Sequence, residues 1–71
     1  MQRFKNKSDV TVGSRVIFDN LTYYLTGLPR VRMVGEVKDL LEDNDKMILV
    51  ELFIAGYEET FTKELPFYLL Q

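Results

Sequence analysis

Seventy-one residues leave room for one hydrophobic core at most, since ordinary domains run to roughly 100–200 residues. A balance of 46% hydrophobic and 28% charged side chains is globular, and a chain this short hides only about 60% of its unfolded surface, so its stability margin is small. The chain has neither cysteine nor histidine. This excludes a disulfide framework, a thiolate zinc site, an iron–sulfur cluster and a cysteine nucleophile, and removes the commonest general base and metal ligand.

The net charge of −2 is unevenly spread. Residues 1–7 hold Arg3, Lys5 and Lys7 and no acid, which leaves six basic against eleven acidic side chains in the rest, a balance of −5. The pattern predicts a flexible basic arm over residues 1–9, as chain ends usually are loose, followed by a single domain over residues 10–71. An arm of three cations can touch phosphate or an acidic partner. An acidic body argues against unaided nucleic-acid binding, for which a basic face is the expected footprint. No apolar run approaches the ~20 residues of a membrane span, and the polar start does not read as a signal peptide, so a cytoplasmic protein without membrane contact is expected.

The elements follow in chain order. Residues 11–18 are rich in β-branched side chains and read as a strand with a turn or bulge at Gly13, ended by Asp19-Asn20. Residues 31–41 alternate: Val31, Met33, Gly35 and Val37 share one face, as in a half-buried strand, with Gly35 marking a bend or close approach. Glu42, Asp43, Asn44, Asp45 and Lys46 form the clearest hairpin turn. Residues 47–54 are apolar on nearly every position and predict the central, most buried strand. Ala55-Gly56 turns the chain into a strand over 57–62. Lys63 to Pro66 reads as a break with a short helical turn, because proline cannot donate a ladder bond, and residues 67–70 as a last short strand. The expected core is Val12, Val16, Phe18, Met33, Val37, Ile48, Val50, Leu52, Phe61 and Leu69. Five short strands without an amphipathic helix predict an all-β small barrel, since closure removes exposed edges.

The order of elements resembles an SH3-like small barrel. Val12-Gly13-Ser14-Arg15-Val16-Ile17-Phe18 resembles the first strand of such barrels, Gly35-Glu36-Val37 the second, Ile48-Leu49-Val50-Glu51-Leu52 the third, and Phe61 followed by Glu64-Leu65 the end of the chain. The resemblance spans residues 10–70 and implies a five-stranded SH3-like barrel with a long first loop. Three groups share that outline. One is the KOW type of transcription and ribosomal proteins, from which this chain differs by the sixteen residues between Phe18 and Gly35 and by its acidic body. Another is the accessory barrels of photosynthetic assemblies, such as the small barrel protein of photosystem I and the variable chain of ferredoxin–thioredoxin reductase, whose long first loop is similar. The third is the host-interacting barrels of bacteriophages. No catalytic or binding residue transfers from them.

Chemistry-bearing patterns are sparse. Asp43-Asn44-Asp45 offers alternating oxygen ligands, but no glycine or bidentate glutamate follows at a calcium-loop offset. Glu58 and Glu59 are adjacent and point to opposite faces of a strand. No glycine-rich phosphate cradle is present. Neither an enzyme, nor a metal, nor a cofactor is therefore expected. The loop over residues 19–30 is the exception. Its twelve residues carry Leu21, Tyr23, Tyr24, Leu25 and Leu28, and a connection that long usually has a job or a structure of its own. It folds back over the barrel end, burying Leu21, Tyr23 and Leu25, or presents Tyr23 and Tyr24, framed by Arg15, Arg30 and Arg32, as a recognition surface, and the two can coexist because alternate residues point opposite ways. The expected function is a non-catalytic accessory module that docks on a larger protein or complex through Tyr23, Tyr24, Arg30 and Arg32. The alternative is a KOW-like barrel that holds nucleic acid with its arginines and stacks bases on Tyr23, Tyr24 and Tyr57.

Overall fold

In the computed structural model, which describes residues 2–21 and 27–71, more and less buried positions alternate along four strands. They are β1 (Arg15–Asp19), β2 (Arg32–Asp39), β3 (Met47–Phe53) and β4 (Phe61–Pro66). They form one antiparallel sheet in the order β1-β2-β3-β4. One face buries Val16 and Phe18 from β1, Met33 and Val37 from β2, Ile48, Val50 and Leu52 from β3, and Leu65 from β4. Val10, Ile54 and Leu70 complete this core, with Phe4, Leu28, Phe61, Phe67 and Leu69 packed against it.

The all-β class stands, but among the described residues four strands replace the expected five, and the sheet they form is not closed. The last segment is not a strand. Pro66 leads into a 3₁₀ turn at Phe67–Leu69, after which Leu70 makes an isolated antiparallel bridge to Phe18. Ile17 and Gln71 exchange backbone bonds of 2.9 and 3.0 Å at that point. The turn shifts the chain by one position, so Leu70 enters the core where Leu69 was expected.

The fourth strand is displaced as well. The positive φ of Gly56, 87°, and a bond from Tyr57 N–H to Ile54 O (3.0 Å) hold residues 54–57 in a turn. Pairing with β3 then starts only at Phe61 and runs through Lys63 and Leu65 to Pro66, where a break was expected. Pro66 is tolerated because of its phase. Phe67 N–H donates to Lys46 O (2.9 Å), so Met47 and Pro66 form the adjacent pair that exchanges no ladder bond. Phe61 is half-buried at the strand's start.

Val12 is 53% exposed, against its expected place in the core. Ser14 N–H donates to Thr11 O (3.1 Å) and Gly13, at φ 90°, donates to Val37 O (2.8 Å), so residues 11–14 form a turn that tips Val12 outward. At the other end of β2 a bulge at Lys38 and the positive φ of Leu41, 53°, end the strand at Asp39 rather than Leu41. Asn44 Oδ1 accepts from Lys46 N–H (3.0 Å) and Met47 N–H (3.2 Å) and fixes the β2–β3 turn.

The segment read as a basic arm makes specific contacts. Phe4 packs on the core and donates its N–H to Leu70 O (3.0 Å). Lys7 opens a 3₁₀ turn (Lys7–Asp9), and its ammonium donates to Leu41 O (2.9 Å) and to Asn44 O at the β2–β3 turn. Removing residues 1–7 should therefore cost about 1–2 kcal/mol, the value of a partly buried aromatic. The readout is the thermal midpoint. An unchanged midpoint would return the segment to the loose arm its composition suggests.

Candidate functional site

Antiparallel register sets the solvent face of the sheet. Ile17 lies opposite Val34, and Val34 opposite Phe53, so three apolar side chains form a row across β1, β2 and β3. Val34 is 45% exposed and Phe53 43%, while Ile17 is half-buried. On β3 itself Ile48, Val50 and Leu52 are buried on the inner face, while Phe53 stands on the solvent face.

Charges flank the row on both sides. Towards the β1–β2 loop, Arg32 is opposite Asp19 and pairs with it at 3.3 Å. On the far side Arg15 is opposite Glu36, and Glu36 opposite Glu51. The Lys38 ammonium reaches both carboxylates, at 2.6 Å to Glu36 and 3.3 Å to Glu51, and the Thr60 hydroxyl donates to Glu51 (2.9 Å). These contacts hold the Glu51 carboxyl below its usual range, first through Thr60 and then Lys38, and raise Lys38 through Glu36 and Glu51.

The neck of the loop is tied. Asn20 is fully buried; its side chain donates to Pro29 O (2.5 Å) and its backbone N–H to Val31 O (3.2 Å). Asp19 Oδ1 accepts from Leu21 N–H (3.1 Å), and Arg30 donates to Leu21 O (3.4 Å). Of the residues expected to form the partner surface, Arg30 and Arg32 both sit at this neck. Tyr23 and Tyr24 lie outside the described residues. Leu21, expected to be buried if the loop folds back, is 55% exposed, whereas Leu28 packs on the core. Arg15 is not at the neck; the apolar row separates it from Arg32.

A hollow of about 400 Å³ lies between Lys7, Ser8, Leu40 and the β2–β3 turn residues Glu42, Asn44 and Asp45. Its cation is already bonded to two carbonyls. Among the described residues no group of three or more carboxylates is arranged to hold a metal ion. Comparison with protein families, characterised proteins and solved structures finds no match.

Sequence reasoning missed the apolar row. Its signal was present, since Val34 and Phe53 fall on the polar-side faces of their strands. Their adjacency, however, depends on cross-strand register.

Proposed function

We propose that this chain is a non-catalytic docking module of the SH3-like small-barrel type, acting as an accessory to a larger protein or complex. The fold part of the reading is supported by the four-strand meander, the 3₁₀ turn after it, and the return of Leu70 and Gln71 to β1. The functional part rests on one observation: an exposed apolar row bounded by charged side chains and continuous with the tied neck of a tyrosine-bearing loop. Monomer surfaces keep such patches mostly for contact, and tyrosine and arginine beside them are favoured anchors. The contacts we propose on the loop side are Arg30 and Arg32, at the neck, together with Tyr23 and Tyr24 of the same loop.

The test pairs capture with stability. The Tyr24→Ala, Arg30→Ala double variant should bind its partner at least about tenfold more weakly, a hot-spot-sized loss, with an almost unchanged unfolding midpoint. Parallel loss of binding and stability would make the loop a packing element. Retention on heparin or DNA that falls steeply with salt would favour the nucleic-acid reading instead.

A further inference from the structure

The solvent face of the sheet contains a cleft of about 250 Å³ lined by Arg15, Val34, Gly35, Glu36 and Phe53. We propose that this cleft seats one apolar side chain of a partner polypeptide, and that Arg15 at its rim pairs with a carboxylate next to that side chain. The proposal rests on the docking reading above and gives the partner its chemistry.

Size comes first. Pockets for cofactors and other small molecules usually run to about 300–1,000 Å³. A smaller cleft with Val34 and Phe53 as its exposed apolar walls suits a single aliphatic or aromatic side chain. Charge decides the rest. On this face Asp19 is held by Arg32, while Glu36 and Glu51 are held by Lys38. Arg15 is exposed and lies opposite Glu36, yet among the described residues it makes no ion pair or side-chain hydrogen bond. The acid across from it is engaged by Lys38 at 2.6 Å. The rim therefore offers one guanidinium with no direct partner, whose planar fork suits a carboxylate in two-point contact.

Other occupants fit less well. A second copy placed face to face would set Arg15 against carboxylates already bonded to Lys38 or Arg32. The apolar row of three side chains is also narrow for a stable dimer, which usually buries about 800 Å² on each partner. A nucleic-acid strand needs a track of cations rather than one.

The experiment is an amide-resolved NMR titration of the whole chain with short blocked peptides that centre on Phe-Glu, Phe-Gln, Phe-Lys or Ala-Glu. The Phe-Glu peptide should shift the resonances of Arg15, Val34 and Phe53, and bind about tenfold more tightly than Phe-Lys or Ala-Glu, a difference near 1.4 kcal/mol. Added salt should weaken Phe-Glu but not Phe-Gln. Arg15→Gln, a change at an exposed position, should abolish the preference for Phe-Glu over Phe-Gln and leave the unfolding midpoint in place. Equal binding of Phe-Glu and Phe-Lys, shifts confined to residues 27–32, or no shift at Val34 and Phe53 would overturn the assignment. So would concentration-dependent shifts at those residues without peptide, which would mean a dimer. Failure here with loop-dependent partner capture intact sinks only the cleft. Peptide binding at the cleft with capture unaffected by Tyr24 and Arg30 sinks the loop reading and leaves the cleft standing.

Discussion

Leu65→Ala is expected to leave a large share of the molecules unfolded at room temperature. Leu65 is fully buried and faces Ile48 across the β3–β4 ladder. Truncating such a side chain removes its transfer free energy and leaves a cavity, which together cost about 2–5 kcal/mol. A single core in a domain this small rarely supplies more than about 3–5 kcal/mol in total, so the two quantities are comparable. The informative control is Glu64→Ala. Glu64 is exposed on the opposite face of the same strand, and its loss should stay within about 0.5 kcal/mol. Urea titration followed by circular dichroism measures both. If Leu65→Ala behaved like its neighbour, β4 would end before Lys63, where the proline-based reading of the sequence placed the break.

That contrast shows what local sequence could carry. β2 and β3 were legible because alternation on their inner faces is regular over Met33 and Val37 and over Ile48, Val50 and Leu52. The end of the chain was not, because whether Pro66 breaks a strand depends on the hydrogen-bond phase set by Phe67 and Lys46, twenty-one positions apart in the chain. Val12 failed for a similar reason. Its own pattern is that of a strand, but the bond from Gly13 to Val37 O turns the chain there. Phe4 carries no local signal either, since nothing near it in sequence announces a contact with Leu70. At the candidate site, Arg30 and Arg32 could be named from composition and position. The row of Ile17, Val34 and Phe53 could not, because its members meet only through register across three strands.

Gly35→Ala should destabilise the protein by about 1–3 kcal/mol, the usual cost of inserting a methyl group into a filled core. A thermal midpoint falls by roughly 4–8 °C for each kcal/mol at this size. Gly35 lies on the inner face of β2 opposite Leu52. A Cβ there would stand 2.5 Å from Val50 Cγ1, 3.1 Å from Leu52 Cδ2 and 3.2 Å from the Glu51 carbonyl oxygen. Two effects compete. Replacing glycine by alanine narrows the unfolded ensemble and would by itself stabilise by about 0.4–1 kcal/mol. The clash is larger, because Val50 is fully buried and β-branched side chains have little freedom to rotate away, while the carbonyl belongs to the paired backbone of β3. Val50→Ala alone should cost about 1–3 kcal/mol through the cavity it leaves. Combining the two places the new methyl of residue 35 in the space vacated by Cγ1. The double variant should then be more stable than the sum of the single losses by about 0.5–3 kcal/mol, the range seen for residues in direct contact. Additivity within about 0.5 kcal/mol would show that Gly35 and Val50 do not press on each other, and that β2 and β3 are held apart by something other than this contact.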